Sequence, residues 1–165
     1  MTEPTIRAAF PSWGHYNRRL RDAVEGLTVE QLAIQPAPDR WPLWATVGHA
    51  ACQRVFWLCD FAGEPGAAES PFPDAGSNCP GDDDLEHAWD GPSLAGALDE
   101  TFAIVERVLD TWTLPMLGET ISDGEGNRVH TRGWVLQRVF AHDVSHIAEV
   151  NEVLGRAGLP QVDIW

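Results

Sequence analysis

The sequence predicts an all-α protein that forms a single four-helix bundle over residues 1–165. Four segments carry apolar residues at the three- and four-residue spacing of amphipathic helices. The first two are joined by a short connection, and longer connections follow the second and third, which is compatible with a bundle. At 165 residues the chain has the length of one domain with a full core, and we find no internal repeat or domain boundary.

The first helix is expected to be entered near Thr5, to bend or begin at Pro11 and to close at Gly26. Residues 28–33 are expected to add a short helical turn capped by the first of them, a threonine. The prolines of residues 36–42 then predict an extended connection. The apolar face of the first helix is predicted from Phe10, Trp13, Asn17, Leu20, Val24 and Leu27.

The second helix is predicted over residues 43–62, with His49 near its start. A segment rich in Pro, Gly, Asp and Ser follows over residues 63–92. Loops of this length usually cover a site or an interface, or are mobile. Its acidic cluster, Asp82 to Asp84, is more typical of a solvated loop or a helix cap than of a metal site.

The third helix is predicted from Ser93 to about Thr113, and Pro115 stops it. Residues 118–130 hold two short alternating runs, which predict a small hairpin or extended segment. The turn of that hairpin is expected around Asp123, Gly124, Glu125 and Gly126. The fourth helix is predicted over residues 131–160, with a threonine cap at its start and glycines and a proline at its end.

The chain is strongly acidic, with 11 basic and 25 acidic residues and a net charge of −14. Such a surface repels phosphate groups, so we expect neither nucleic acid nor anionic membranes as partners. Residues 1–10 lack the features of a signal peptide, and no apolar stretch reaches membrane-spanning length. We therefore expect a soluble, cytoplasmic protein.

The three cysteines are expected to be reduced core residues. Three is an odd number, and no two of them form a Cys-x-x-Cys pair. Cys52 and Cys59 would lie two turns apart on one helix, too far to form a disulfide. Cys79 lies near His87 in the long loop, without the spacing of a metal site.

The fourth helix carries His142 and His146 four residues apart, so both rings lie on one face and can bind the same ion. They fall within the apolar arc of the helix, where a polar ring needs a partner. Hydrogen bonds alone could satisfy such buried histidines. A bundle can also bring His49 alongside, and three imidazoles match the ligand set of an open catalytic zinc or related divalent site. We expect Zn²⁺, with nickel, iron or manganese as alternatives.

Three stretches of the chain carry a family pattern: residues 41–49 (WPLWATVGH), residues 139–149 (VFAHDVSHIAE) and the closing Leu159, Pro160, Asp163, Ile164 and Trp165. In these stretches the chain resembles the DinB-like family of metal-binding four-helix bundles. The resemblance implies that His49, His142 and His146 form a metal triad. It also implies thiol chemistry, because the family includes S-transferases and isomerases that use low-molecular-weight thiols such as bacillithiol or mycothiol.

Two acidic residues are candidates for catalysis. Glu149 lies one turn beyond His146 and could orient that ring or accept a proton, although an exposed glutamate is the plainer interpretation. Asp143 could act as a base or take a histidine N–H, or it could simply complete the charge pattern of the helix. Gln53, one turn from His49, could contact a ligand or pack at an edge.

Three functions remain open from the sequence. The first is a metal-dependent enzyme acting on a small molecule, with a metal-activated thiol as the transferred group. The second is a non-catalytic metal-binding bundle that works through protein association or ligand binding. The third is a metal-dependent hydrolase with Glu149 or Asp143 as base. The family resemblance also implies a homodimer. The remaining histidines have no partner spacing, and surface or loop roles are expected for His15, His87 and His130.

Overall fold

The computed structural model describes residues 3–123 and 126–165, so residues 124 and 125 of the predicted hairpin turn lie outside it. The all-α prediction is confirmed in outline, because helices dominate and one small two-stranded sheet accompanies them. No helix in these ranges has both the length and the apolar character needed to cross a membrane. The helices are α1 (Trp13–Glu25), α2 (Val29–Leu32), α3 (Leu43–Val55), α4 (Gly91–Thr111) and α5 (Arg132–Arg156).

Side-chain caps determine where three of these helices begin. Thr28 caps α2 in a capping box, and Thr131 caps α5 by accepting a hydrogen bond from a backbone N–H in its first turn. Both caps confirm the sequence prediction. The predicted start of the third long helix at Ser93 is wrong: α4 begins at Gly91, because the Asp90 carboxylate accepts the Ser93 N–H at 2.8 Å.

Two of the predicted helices are divided in the structure. The first becomes a separate 3₁₀ turn, Ile6–Ala9, and α1 then begins at Trp13, after Pro11. The second is α-helical only over Leu43–Val55 and continues as a π-helical segment, Phe56–Phe61. A π-helical turn changes the direction in which the following side chains point, and such turns are frequent at functional sites.

The four long helices share one hydrophobic core. α4 packs against both α1 and α3, and α3 packs against α5. The predicted hairpin is present just before α5, as strands β1 (Thr120–Ser122) and β2 (Val129–Thr131), which pair antiparallel. The core includes Trp13, Leu20, Val24, Val47, Val55, Leu98, Val105, Leu136, Val139 and Val150.

The long loop between Phe61 and Gly91 packs against the helices. Phe72 is buried and stacks on Trp89, with ring centroids 5.3 Å apart. Apolar side chains that enter the core hold a loop in place, and this loop also carries the acidic cluster at residues 82–84 towards α3.

The expectation that all three cysteines are reduced is wrong for two of them. Cys52 on α3 and Cys79 in the long loop form a disulfide, because the loop folds back along the helix and brings these residues together. A separation of 27 residues leaves no local signal of this pairing in the sequence. Cys59 remains free and buried, and burial above all raises the pKa of its thiol to about 11.

A buried ion pair joins the four long helices. Arg54 of α3 is 1% exposed, and its guanidinium contacts the Asp143 carboxylate of α5 at 3.0 Å. Arg54 also donates to Asn17 Oδ1 of α1 at 2.9 Å and to the Leu98 carbonyl of α4 at 3.1 Å. The Trp13 indole N–H donates to Asp143 at 2.8 Å. Each charge is therefore surrounded by hydrogen-bond partners, as buried charges require.

Replacing the buried arginine should strongly destabilise the protein. In Arg54→Met the Asp143 carboxylate stays buried without its counter-charge, and we expect a loss of about 3–5 kcal/mol in the free energy of unfolding. Urea denaturation measures this loss. The control is Arg156→Met, which removes an exposed arginine paired with Glu152, and we expect little change there. A loss below about 1 kcal/mol in Arg54→Met would contradict the prediction.

Candidate metal centre

Three histidine rings converge between α3 and α5. His49 Nε2 lies 3.2 Å from His142 Nε2, and His146 Nε2 lies 3.1 Å from the same atom. The three rings are buried, with 6%, 9% and 8% exposure in chain order. All three can offer a ligand atom within 4.8 Å of one another, so together they could hold one metal ion.

Helix geometry and close packing place these rings. His142 and His146 lie one turn apart on α5, so they share a face of the helix. On α3, Gly48 precedes His49 and allows the long loop to approach, since a Cβ at Gly48 would lie 3.0 Å from the Pro80 ring. The Trp41 ring packs against His49 with centroids 4.8 Å apart. The cluster is therefore covered by the loop and by the connection that precedes α3.

Two carboxylates face the outer nitrogens of the cluster. Glu149 Oε2 lies 2.7 Å from His146 Nδ1. Asp82 Oδ2 lies 3.5 Å from His49 Nδ1, a buried nitrogen that has no hydrogen-bond partner among the described residues. A carboxylate beside Nδ1 favours the tautomer with the proton on that atom, and so leaves the lone pair on Nε2.

Burial keeps the His142 and His49 rings neutral. Burial above all, and then the neighbouring His146 and His49 rings, lower the pKa of His142 to about 2. Burial likewise lowers the pKa of His49, and the Asp82 carboxylate opposes this effect only in part. A neutral imidazole is the form that binds metal ions.

The donor set fits a divalent cation. With the protons on Nδ1, three Nε2 lone pairs would face one another at hydrogen-bond distance with no proton between them. Because a cation accepts all three lone pairs at once, it resolves this repulsion. Within the residues that the structure describes, no fourth protein ligand atom joins the three. The arrangement thus matches a site that leaves one coordination position to an exogenous ligand.

The other predicted site residues have different surroundings. Asp143 has both carboxylate oxygens within 3.1 Å of the Arg54 Nε, so we expect it to position helices rather than to act as a base. Gln53 is half-buried and directs its amide to Cys79 Sγ at 3.7 Å. Of the remaining histidines, His87 contacts Asp84, and His130 stacks on Trp134 of α5.

Sequence reasoning missed the role of Asp82. It belongs to the acidic cluster that we expected to be solvated, and its side chain is indeed about half exposed, yet it lies beside His49. Asp83 and Asp84 accept backbone N–H groups of their own loop instead. The single available signal was the length of the loop, because long loops often cover a site.

The unfolding free energy of the metal-free protein should decrease on acidification. The folded state holds His142 neutral, whereas the unfolded chain binds a proton there below about pH 6.5. The unfolded state then binds more protons, so this residue should remove about 2 kcal/mol between pH 7 and pH 5. Urea denaturation after chelator treatment measures the effect.

His142→Gln should show a smaller dependence on pH than the unaltered protein. The matched control is His87→Gln, whose ring is exposed in the loop, and it should retain the full dependence. Equal losses between pH 7 and pH 5 in the unaltered protein and in His142→Gln would contradict the assignment.

Comparison with known proteins gives a family and two solved structures of similar fold. A model of the DinB superfamily matches residues 16–150. A DinB-like protein of Bacillus cereus has 19% identity and a TM-score of 0.70, over 99% of this chain and 100% of that chain. A DinB-like protein of Bacillus subtilis has 17% identity and a TM-score of 0.61, over 96% and 94%. The comparison with curated proteins gives no match. Since the family model spans most of its length, the chain belongs to the DinB superfamily.

Proposed function

We propose that this protein is a metal-dependent enzyme that transfers a low-molecular-weight thiol, of the mycothiol or bacillithiol type, to an electrophilic small molecule. The observation that carries the proposal is the convergence of three buried Nε2 atoms without a fourth protein ligand among the described residues. Three neutral nitrogen donors favour zinc, with nickel, iron and manganese as alternatives. A cation in this position would lower the pKa of a coordinated thiol or water.

Glu149 is the residue best placed to handle a proton. One oxygen, Oε2, accepts the Nδ1–H of His146, which orients the ring. The side chain is 48% exposed, so the carboxylate is also open to solvent. We propose that it holds the ligand ring in place and receives the thiol proton as the sulfur forms its bond to the electrophile. The same proton then passes from Glu149 to the acceptor or to its leaving group.

The geometry of the histidine cluster is also compatible with two other functions. A metal-dependent hydrolase would use water in place of the thiol, again with Glu149 as base. A non-catalytic bundle would use the metal for structure alone, and would then need a fourth ligand to close the coordination sphere. The absence of such a ligand in the described chain favours the enzyme. Family membership supports metal binding and does not separate thiol transfer from hydrolysis.

The proposal also covers the location, the oligomeric state and the partners of the protein. We propose a cytoplasmic homodimer that acts on small molecules and not on nucleic acid or membranes. The net charge of −14 supports the exclusion of phosphate-rich partners. The homodimer is proposed from the family resemblance. Disulfides are rare in reducing compartments, so the Cys52–Cys79 disulfide argues against the cytoplasmic part of this proposal.

The proposal is tested first by metal content. Protein purified without a histidine tag should bind about one equivalent of Zn²⁺ after dialysis, and His142→Ala should bind less than about a tenth. Saturating metal, at about 100 times Kd, should stabilise the unaltered protein by about 2.7 kcal/mol. Elemental analysis and denaturation measure these effects, with His130→Ala as the control outside the cluster. Zinc binding by His142→Ala equal to that of the control would exclude the assigned site.

A second test concerns the glutamate beside the centre. Glu149→Gln keeps the shape of the side chain and removes its charge, so we expect a 10- to 100-fold weaker affinity for zinc. Competition with a chromophoric chelator gives the Kd. Glu152→Gln, one turn on and paired with Arg156, should leave the affinity unchanged. An unchanged Kd in Glu149→Gln would show that the carboxylate does not orient His146.

A further inference from the structure

The disulfide and a candidate metal ligand lie one turn apart on α3. Cys52 follows His49 by three residues, so the two side chains share a face of the helix. The disulfide attaches Cys79 of the long loop to this face, with the two Cα atoms 5.9 Å apart. A redox-active group therefore lies beside the metal centre.

The loop residues that follow the disulfide pack against the same ligand. Residues 79–84, which we call the acidic turn, are compact because the Asp83 carboxylate accepts the Cys79 N–H at 2.8 Å. Asp82 Oδ2 in this turn lies 3.5 Å from His49 Nδ1. Burial lowers the pKa of His49, and the Asp82 carboxylate is the largest of the effects that oppose it. The acidic turn thus supplies the charge that His49 faces on its outer side.

The acidic turn also fits closely against the connection that precedes α3. Gly81 has a φ of +86°, and a Cβ on this residue would lie 2.9 Å from the Trp41 ring. The Trp41 ring packs in turn against His49, with centroids 4.8 Å apart. Because close-packed groups transmit displacements, a shift of the acidic turn reaches His49 through Trp41 as well as through Asp82.

We propose that the oxidation state of Cys52 and Cys79 controls the affinity of the metal centre. The disulfide fixes the acidic turn against α3 and keeps the Asp82 carboxylate beside His49. The dithiol form releases the turn from this link and binds the metal more weakly. Asp82 is therefore a positioning residue for His49. This inference rests on the metal centre of the proposed function and specifies how that centre is regulated.

The covalent link matters because Asp82 is about half exposed. Its contact with His49 is longer than a good hydrogen bond, and water competes for the carboxylate. Such a contact is weak against the entropy of a long loop, and the disulfide removes much of that entropy in advance. When the carboxylate leaves, the tautomer of His49 with its proton on Nε2 gains population. That tautomer has no lone pair on Nε2 for a metal.

The change of oxidation state needs a partner that carries two electrons. Two protein thiols pass two electrons and two protons to a low-molecular-weight disulfide, which becomes two thiols. The reverse reaction consumes two such thiols and releases their disulfide. Cys52 and Cys79 are both buried, so the exchange takes place while the loop is away from α3, as it is before folding is complete. The redox state of the compartment in which the chain folds therefore sets the form of the centre.

The test compares the zinc affinity of one sequence in two oxidation states. The dithiol form is obtained by reduction with a phosphine in urea, refolding, and removal of the phosphine under argon. A thiol reagent in urea should count three free cysteines in this form and one in the disulfide form. Competition with a chromophoric chelator gives each Kd, and we expect about tenfold weaker binding by the dithiol form. Cys59→Ala, the control, removes the free thiol and should show the same difference.

A double-mutant cycle tests whether the effect passes through Asp82. Asp82→Asn should weaken zinc binding about tenfold in the disulfide form. In Cys52→Ala/Cys79→Ala, where the turn is already released, it should weaken binding by less than about threefold. A general loss of stability would weaken binding equally in both backgrounds. Circular dichroism and thermal denaturation verify folding, and the refolded dithiol protein replaces the double variant if that variant does not fold.

Equal or tighter zinc binding by the dithiol form would overturn the inference. Equal effects of Asp82→Asn in the two backgrounds would overturn it as well. A dithiol form that cannot refold would also contradict it, because the link would then serve the fold and not the centre. Failure of the disulfide form to bind zinc would instead overturn the proposed function, and the inference with it.

Discussion

The buried ion pair between Arg54 and Asp143 is the constraint on which the arrangement of the helices depends. Isolated, each charge would be costly inside the protein, so the fold must keep both helices in the one register that brings them together. Arg54 follows His49 by five residues on α3, and Asp143 is adjacent to His142 on α5. The register that pairs the charges is therefore the register that brings the histidine rings together.

The ion pair and the histidine cluster both lie between α3 and α5, and they have different roles. The ion pair has all its hydrogen-bond partners inside the protein, on four helices, and is closed to solvent. The histidine cluster is also buried, but its flanking carboxylates, Asp82 and Glu149, are each about half exposed. A buried network that is fully satisfied makes a framework rigid, whereas one with unused lone pairs is available for chemistry.

Local patterns in the sequence were sufficient for the helices, for the caps at Thr28 and Thr131 and for the pairing of His142 with His146, because each of these depends on neighbouring residues. Packing in a bundle offered His49 as a third ring, and the family resemblance implied the triad, but no local pattern fixes the distance between two helices. The π-helical segment was missed because its side chains also suit an α-helix. The partner of Asp143 was missed because it lies 89 residues away.

The long loop shows how a non-local contact completes the site. The disulfide attaches Cys79 to α3 at Cys52, three residues after His49, and the chain then needs only Pro80 and Gly81 to reach Asp82. The Asp83 carboxylate accepts the Cys79 N–H at 2.8 Å and makes this turn compact. A carboxylate on a free loop of this length would lose much entropy on approaching the ring. Because the covalent link restricts the loop in advance, Asp82 can stay beside His49 despite its exposure to water.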